Sequence, residues 1–295
     1  MEKVIVIVGP TAVGKTALSI ALAKKLKGEI INADSTQVYK YMNIATAKAT
    51  PDEQEGIPHH LLDIKELEED YSVYDFQKDV RDKIKEIHGR GHMPILVGGT
   101  GFYIKASLYD YHFDEEEEKE NYDNFTTEEL YSKLSKQDPK TEIHPHNRKR
   151  IERALTYMKH HHQPYSEKEK TETCLYDVTW IGLTTDRETL YRRINDRVDV
   201  MIQNGLLEEA QMIYSTHIRS KAVMTPIGYK ELFPYFEGTS SLEDCVDKIK
   251  QHSRNYAKRQ YTWFRNQMNI TWYEVNFKNF NHTIEEVLNS IGKQK

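Results

Sequence analysis

Cysteine is nearly absent: the chain of 295 residues carries only two, Cys174 and Cys245, far apart and not in a CxxC pair. That excludes a disulfide framework and a zinc knuckle and fits a reducing cytoplasm. No apolar run is long enough to cross a bilayer. The opening MEKVIVIVGP is too short for a signal peptide and reads as a strand. No surplus of positive charge announces nucleic acid: 41 Lys and Arg stand against 46 Asp and Glu, a net charge of −5. Net charge is a blunt measure, because binding depends on where cations lie. Acid runs such as Asp114 to Glu118 and Glu66 to Asp70 can mask a basic face elsewhere. Repeats and low-complexity linkers are also missing.

Apolar residues make up 38% of the chain and charged residues 29%, enough for a real core and against chain-wide disorder. Val4 to Val8 is a continuous β-branched run, as in a strand buried on both faces of a parallel sheet. A helix is predicted over Lys15 to Lys27, with Gly28 as its cap. Glu29 to Ala33 reads as a second strand, ending at Asp34. Ser72 and Asp75 open a helix that carries Phe76, Val80, Ile84 and Ile87 on one side. Pro94 to Val97 is a third strand, running into Gly98-Gly99-Thr100-Gly101. This alternation predicts an α/β fold: a P-loop-type parallel sheet flanked by helices.

From Phe113 to Thr173 the texture turns polar and strand-free, with a helix over Lys149 to Met158. We read 113–173 as a mainly helical insertion, and 1–112 with 174–295 as the core. Val178 to Leu183 returns to strand. Thr185 and Glu188 are expected to cap a helix through Val198; further helices are expected over Leu206 to Tyr214 and Leu242 to Gln267, and a last strand over Ile270 to Val275.

The sharpest local signal is GPTAVGKT. Gly9, Gly14, Lys15 and Thr16 meet the pattern G-x-x-x-x-G-K-[ST], between a strand and a helix. Glycines let backbone N–H groups turn onto one anion, and the helix N-terminus adds positive potential. The loop Gly9, Pro10, Thr11, Ala12, Val13, Gly14, Lys15 and Thr16 therefore suits a di- or triphosphate. Lys15 supplies charge to a terminal phosphate and Thr16 a hydroxyl for Mg²⁺. The default owner is a small-molecule kinase or NTPase. Such enzymes carry an acid at the end of a later buried strand, where this chain has Gly-Gly-Thr-Gly.

Other segments narrow the reading. They are Asn32-Ala33-Asp34-Ser35-Thr36-Gln37-Val38-Tyr39, Ile44-Ala45-Thr46-Ala47-Lys48, Pro58-His59-His60-Leu61-Leu62-Asp63, Val97 to Gly101, Ile227-Gly228-Tyr229-Lys230-Glu231, and Ala257-Lys258-Arg259-Gln260 on to Arg265. In this order behind GPTAVGKT, they closely resemble the tRNA dimethylallyltransferase (tRNA isopentenyltransferase) family over nearly the whole chain.

The resemblance implies transfer of a dimethylallyl group from dimethylallyl diphosphate to N6 of the adenine 3′ to the anticodon, flipped out of its loop. The P-loop would grip the donor diphosphate with magnesium, Thr11, Lys15 and Thr16 facing it. Asp34 would hold the N6–H. Ser35, Thr36 and Gln37 resemble the family's base-reading positions, and Thr100 a tRNA-contact position. The insertion, through Lys149, Arg150, Ile151, Glu152 and Arg153, would touch the anticodon stem-loop. Arg259 would face the active site or a phosphate. His59 and His60 would shape the site. A cytoplasmic monomer with no membrane partner is expected, bacterial in type for want of a C-terminal C2H2 finger.

The chemistry agrees. An exocyclic adenine amine is a poor nucleophile, so alkylation needs orientation, an acceptor for its proton and stabilisation of the departing diphosphate. Asp34 is expected at the end of the strand beside the P-loop strand, where α/β sheets place ligands. A turn cap explains Asp34 alone equally well. The cations Arg148, Lys149, Arg150 and Arg153, and a stripe of Lys250, Arg254, Lys258 and Arg265, could track RNA phosphates or simply be solvated helix faces. The clusters His144/His146 and His160 to His162 lack a complete ligand set and read as surface. A non-catalytic RNA-binding module would have little use for a complete Lys15/Thr16 loop. A prenyltransferase for free adenine nucleotides would have little use for the insertion.

Overall fold

A computed structural model describes residues 1–111, 113, 120–168 and 173–293. The acid run Asp114 to Glu118 lies outside the described residues. The strands are β1 (Lys3–Val8), β2 (Gly28–Ala33), β3 (His59–His60), β4 (Met93–Gly98), β5 (Asp177–Thr184) and β6 (Thr271–Glu274). The longer helices of the core are α1 (Lys15–Leu26), α3 (Val73–Gly89), α4 (Gly101–Leu108), α7 (Arg187–Gln203), α8 (Leu206–Ser215), α10 (Tyr229–Phe236), α11 (Leu242–Gln267) and α12 (Phe280–Lys293). Two single turns, α2 (Pro51–Gln54) and α9 (Lys221–Met224), join them, and α5 (Thr127–Gln137) and α6 (Arg148–His161) belong to the insertion.

The six strands form one parallel sheet in the order β3-β2-β4-β1-β5-β6. The run Val4 to Val8 is apolar throughout because both faces of β1 are covered. Val4, Val6 and Val8 join the core shared with α3, α4, α8, α10 and α11, whereas Ile5 and Ile7 join the opposite core with α1 and α12. Full burial of each such side chain stabilises the fold by about 1.5–3 kcal/mol.

Several local expectations change. β4 lies between β1 and β2, so the strand that ends at Asp34 is not beside the P-loop strand. A parallel crossover through a helix lets a later strand take the central place, and hydrophobic patterning does not encode that order. Helix α1 is capped by Lys27 in the left-handed region (φ 51°), and Gly28 is the first residue of β2. The cap of α7 is Asp186, not Thr185: its carboxylate accepts the Thr189 N–H at 2.9 Å. Ser72 and Asp75 form the expected reciprocal cap of α3. Its face of Phe76, Val80, Ile84 and Ile87 is buried.

The described chain divides into two compact units, Met1–Tyr109 with Cys174–Lys295, and Asp110–Thr173. In the second unit, Leu130 and Leu134 of α5 pack on Ile151, Ala154 and Leu155 of α6. The buried Asp138 accepts the Ser166 N–H at 2.8 Å and its hydroxyl at 2.5 Å, fastening the unit's last turn. No described helix is long and apolar enough to cross a membrane.

At the start of β2, the buried Glu29 accepts Arg90 through both oxygens, at 3.0 and 2.7 Å, and meets His60 at 2.6 Å and His92 at 2.7 Å. His60 thus braces the start of β2, and the His59 ring meets the Ile57 carbonyl at 2.8 Å. The Arg90 hydrogen bond foremost, against burial and with help from the two histidines, holds the Glu29 carboxyl at about 2, down from 4.5. A carboxyl with a lowered folded pKa gives stability that is full above the unfolded value and lost as pH falls towards the folded one. Glu29→Gln is therefore expected to lower Tm near neutral pH. Its deficit against wild type should shrink as pH falls from about 4.5 to about 2, in thermal melts followed by circular dichroism.

Candidate active site

The loop between β1 and α1 starts at Gly9 with φ +146° and ends at Gly14 with φ +99°, conformations that side chains resist. Ala12 between them is also left-handed, with φ 64°. A side chain at Gly9 would strike the Leu183 carbonyl of β5 at 2.6 Å, and one at Gly14 the Phe280 ring of α12 at 2.7 Å. The loop is thus clamped as well as curled. Val13 is buried below it, and Thr16 is exposed at the first turn of α1.

Lys15 Nζ donates to the Gly9 carbonyl at 3.0 Å and the Pro10 carbonyl at 2.8 Å. Burial, and then the like charge of Arg197, lower its pKa from 10.5 to about 7, against an opposing pull from Asp34. Arg197 itself is half-buried and its pKa is lowered, chiefly by desolvation; Asp34 and Glu53 oppose the shift.

Four residues that sequence reasoning missed converge here. Arg193 and Arg197, one turn apart on α7, both address the loop. Arg193 Nε donates to the Ala12 carbonyl at 3.0 Å, with its guanidinium 3.9 Å from the Phe277 ring centroid. Arg197 Nη1 donates to the Thr11 hydroxyl at 3.2 Å. Gln260 of α11 accepts the Thr11 N–H at 3.2 Å and donates to the Gly99 carbonyl at 3.1 Å. Tyr256, one turn before it, interacts with Thr100 and Gln260; burial first, then Asp34, raise its phenol pKa. The signals in the sequence were the spacing of four between Arg193 and Arg197, which marks a shared helix face without saying what that face meets, and the place of Gln260 in the family-like segment Ala257 to Arg265.

Asp34 follows β2. Its Oδ1 accepts the Thr36 N–H at 3.0 Å and the Thr36 hydroxyl at 2.7 Å. This turn-capping arrangement fixes the carboxylate, so the bland and the functional readings of Asp34 describe one geometry. Ser35 N–H donates to the Thr100 hydroxyl at 3.3 Å. Gln37 spends its amide nitrogen on the carbonyls of Thr46 (2.9 Å) and Ala47 (3.3 Å), so it holds the loop beside it. From the other side, Glu209 accepts the N–H groups of Asn43 (2.9 Å), Ile44 (2.9 Å) and Ala45 (3.1 Å) and the Tyr229 hydroxyl (2.8 Å). The segments around Ile44 to Lys48 and Ile227 to Glu231 thereby form one braced wall.

The run Gly98-Gly99-Thr100-Gly101 at the end of β4 has a steric cause. A Cβ at Gly99 would lie 2.0 Å from Gln260 Nε2, and one at Gly101 2.1 Å from the Trp263 ring. Helix α11 occupies the place where an acidic side chain would stand.

Other predicted residues serve differently. Ile151 is fully buried in the insertion's own core, so its side chain serves packing. An apolar side chain at helical spacing is recruited by the core first. Glu152 pairs with Arg148 at 2.6 Å, whereas Lys149, Arg150 and Arg153 are exposed on α6. Arg259 is exposed on α11, 5.7 Å from the Tyr256 ring centroid. The stripe on α11 is partly spent within the fold: Lys250 pairs with Asp199 at 2.6 Å and Arg254 donates to Asn195 at 2.6 Å.

The donor set suits magnesium carried by a phosphate. Thr16 offers a hard oxygen, and no group of three or more His, Cys, Asp or Glu able to hold a metal occurs among the described residues. Mg²⁺ is commonly held by one or two protein oxygens together with substrate phosphates.

A parallel sheet, a complete G-x-x-x-x-G-K-T loop and two guanidiniums turned onto it define a protein of the P-loop fold class. The family model described as IPP transferase matches residues 37–267. The chain is 52% identical to the tRNA dimethylallyltransferase of Geobacillus kaustophilus (strain HTA426) over 286 residues, 93% of this chain and 91% of that protein. The crystal structure of the tRNA delta(2)-isopentenylpyrophosphate transferase from Staphylococcus epidermidis superposes with a TM-score of 0.77 at 43% identity, covering 100% of both chains. A eukaryotic dimethylallyltransferase acting on tRNA gives a TM-score of 0.81 at 35% identity, over 93% of this chain and 74% of that one. The chain belongs to the IPP transferase family.

Because the Lys15 pKa is about 7 in the free protein, an anion that restores its charge must take up a proton above that pH. Affinity for inorganic diphosphate is therefore expected to fall as pH rises above about 7. Lys15→Met should bind more weakly and lose the part of that slope due to Lys15, as read by isothermal titration in buffers of different ionisation heat.

Proposed function

We propose that this protein is a tRNA dimethylallyltransferase. It moves the dimethylallyl group of dimethylallyl diphosphate to N6 of the adenosine 3′-adjacent to the anticodon, giving N6-(dimethylallyl)adenosine and diphosphate. It acts as a cytoplasmic monomer, with the exposed cations Lys149, Arg150 and Arg153 of the insertion meeting the anticodon stem-loop.

The observation that carries this reading is geometric: Gln260 joins the P-loop N–H of Thr11 to the carbonyl of Gly99, and the neighbouring Thr100 hydroxyl accepts the N–H of Ser35 beside Asp34. A diphosphate and a proton donor can therefore be held side by side. The kinase alternative loses ground at β4, where Gln260 and Trp263 fill the space of the acid such enzymes use.

Each residue has a chemical task in this reading. Asp34, its Oδ1 fixed by Thr36, presents Oδ2 to N6–H and takes that proton as the amine attacks. The N6–C1 bond forms while the C1–O bond to diphosphate breaks. The leaving group departs against Lys15, Thr11 and the guanidiniums of Arg193 and Arg197, and such preorganised charge is commonly the largest contribution to catalysis. Thr16 would hold Mg²⁺, which adds neutralising charge on the diphosphate. Thr100 and Ser35 line the acceptor side, with Arg259 at its rim. Removing the target base from its stacked loop exposes N6 to this geometry.

The test is incubation with dimethylallyl diphosphate, magnesium and unmodified tRNA bearing the target adenosine, followed by mass spectrometry of digested nucleosides. N6-(dimethylallyl)adenosine is expected. ATP turnover stimulated by a small acceptor, without that product, would establish the kinase instead. Asp34→Ala should lower kcat by about 10²–10⁴-fold while donor affinity stays within about threefold. A collapse of donor affinity would move Asp34 to the diphosphate side.

A further inference from the structure

Gln260 is buried, with 5% of its surface exposed, and both ends of its amide are used. Its Oε1 accepts the N–H of Thr11, 249 residues earlier in the chain, and its Nε2 donates to the carbonyl of Gly99. These contacts reach two different parts of the site. Thr11 is the P-loop residue whose hydroxyl also takes Arg197. Gly99 precedes Thr100, whose hydroxyl accepts the N–H of Ser35 next to Asp34. Tyr256 touches Thr100 and Gln260 from the preceding turn of α11 and feels the charge of Asp34.

We propose that Gln260 is a positioning residue that locks the donor loop to the acceptor segment, so that the dimethylallyl diphosphate held by the P-loop and the adenine amine held by Asp34 meet at reacting distance. The inference rests on the function proposed above. Its physical basis is the rigidity of a primary amide. One planar group ties a loop N–H to a strand-end carbonyl, and neither can shift without breaking a buried hydrogen bond. Gly99 is required for this contact, since a Cβ there would stand 2.0 Å from Gln260 Nε2. The residue touches no reacting atom, so its effect is on alignment, and small misplacements of reactants cost large factors in rate.

Gln260→Met keeps the length and bulk of the side chain and removes both hydrogen bonds. Steady-state kinetics with dimethylallyl diphosphate and an anticodon stem-loop RNA should show kcat falling by about tenfold or more and the donor KM rising. The KM for RNA should stay within about twofold. Gln260→Glu keeps the acceptor for Thr11 and loses the donor to Gly99. It too should lose kcat, and lowering the pH to protonate the new carboxyl should restore part of the loss. A general loss of packing would not give that pH-dependent rescue.

The inference is overturned if Gln260→Met keeps kcat and donor KM within about twofold of wild type, or if the KM for RNA rises by the same factor as that for the donor. It is also overturned if Gln260→Glu shows no recovery at lower pH relative to wild type. Should Gln260→Met fail to fold, Gln260→Glu decides alone. Wild-type protein assayed in parallel separates the two claims: no prenylated product from it defeats the proposed function, whereas normal product with an indifferent Gln260 defeats only the coupling.

Discussion

Positive charge gathered where water is scarce sets the terms for the ligand end of this sheet. Lys15 and Arg197 lie half-buried at the same loop, and each loses part of its hold on a proton as a result. Carbonyls of Gly9, Pro10 and Ala12 and the carboxylate of Asp34 offset the crowding only in part. A site built this way favours a multiply charged anion, because binding one relieves repulsion already present in the free protein. The rest of the core serves that arrangement. Helix α7 is held so that two of its arginines reach the loop, and α11 is packed so closely on the turn after β4 that a side chain at Gly99 or Gly101 would strike it.

The two halves of the site are constructed by different means. The anion side is largely backbone: N–H groups and carbonyls of a clamped loop, with cations added from one helix. The acceptor side is a turn after β2, fixed by the Asp34–Thr36 contacts and walled by the segment that Gln37 and Glu209 hold from opposite directions. Backbone suits a symmetric, strongly charged group such as diphosphate, and side chains suit a planar base with distinct edges.

How much of this could be read from the chain depends on distance along it. The P-loop is a local device: spacing, a strand before and a helix after are contiguous, so its residues were legible. Asp34, Thr36 and Thr100 were found through resemblance, and periodicity alone would have left them as turn residues. Arg193, Arg197, Tyr256 and Gln260 were not found. They reach the site only after distant helices fold onto it, and although Gln260 stands in the family-like segment Ala257-Lys258-Arg259-Gln260, nothing local says what its amide meets. The insertion of β4 between β1 and β2 escaped for the same reason. Ile151 stands in a basic neighbourhood, but its own apolar side chain answers to the helix period first.

The sheet ends in a strand of two residues at β3 and one of four at β6. Brief margins give another chain little to pair with, since unpaired N–H and C=O groups need length and flatness to template a foreign strand. At β3 the imidazole of His60 is also turned back onto Glu29. The consequence concerns the crowded cell more than the reaction. An enzyme whose sheet is otherwise long, β-branched and apolar in sequence carries its own protection against edge-to-edge polymerisation at both borders.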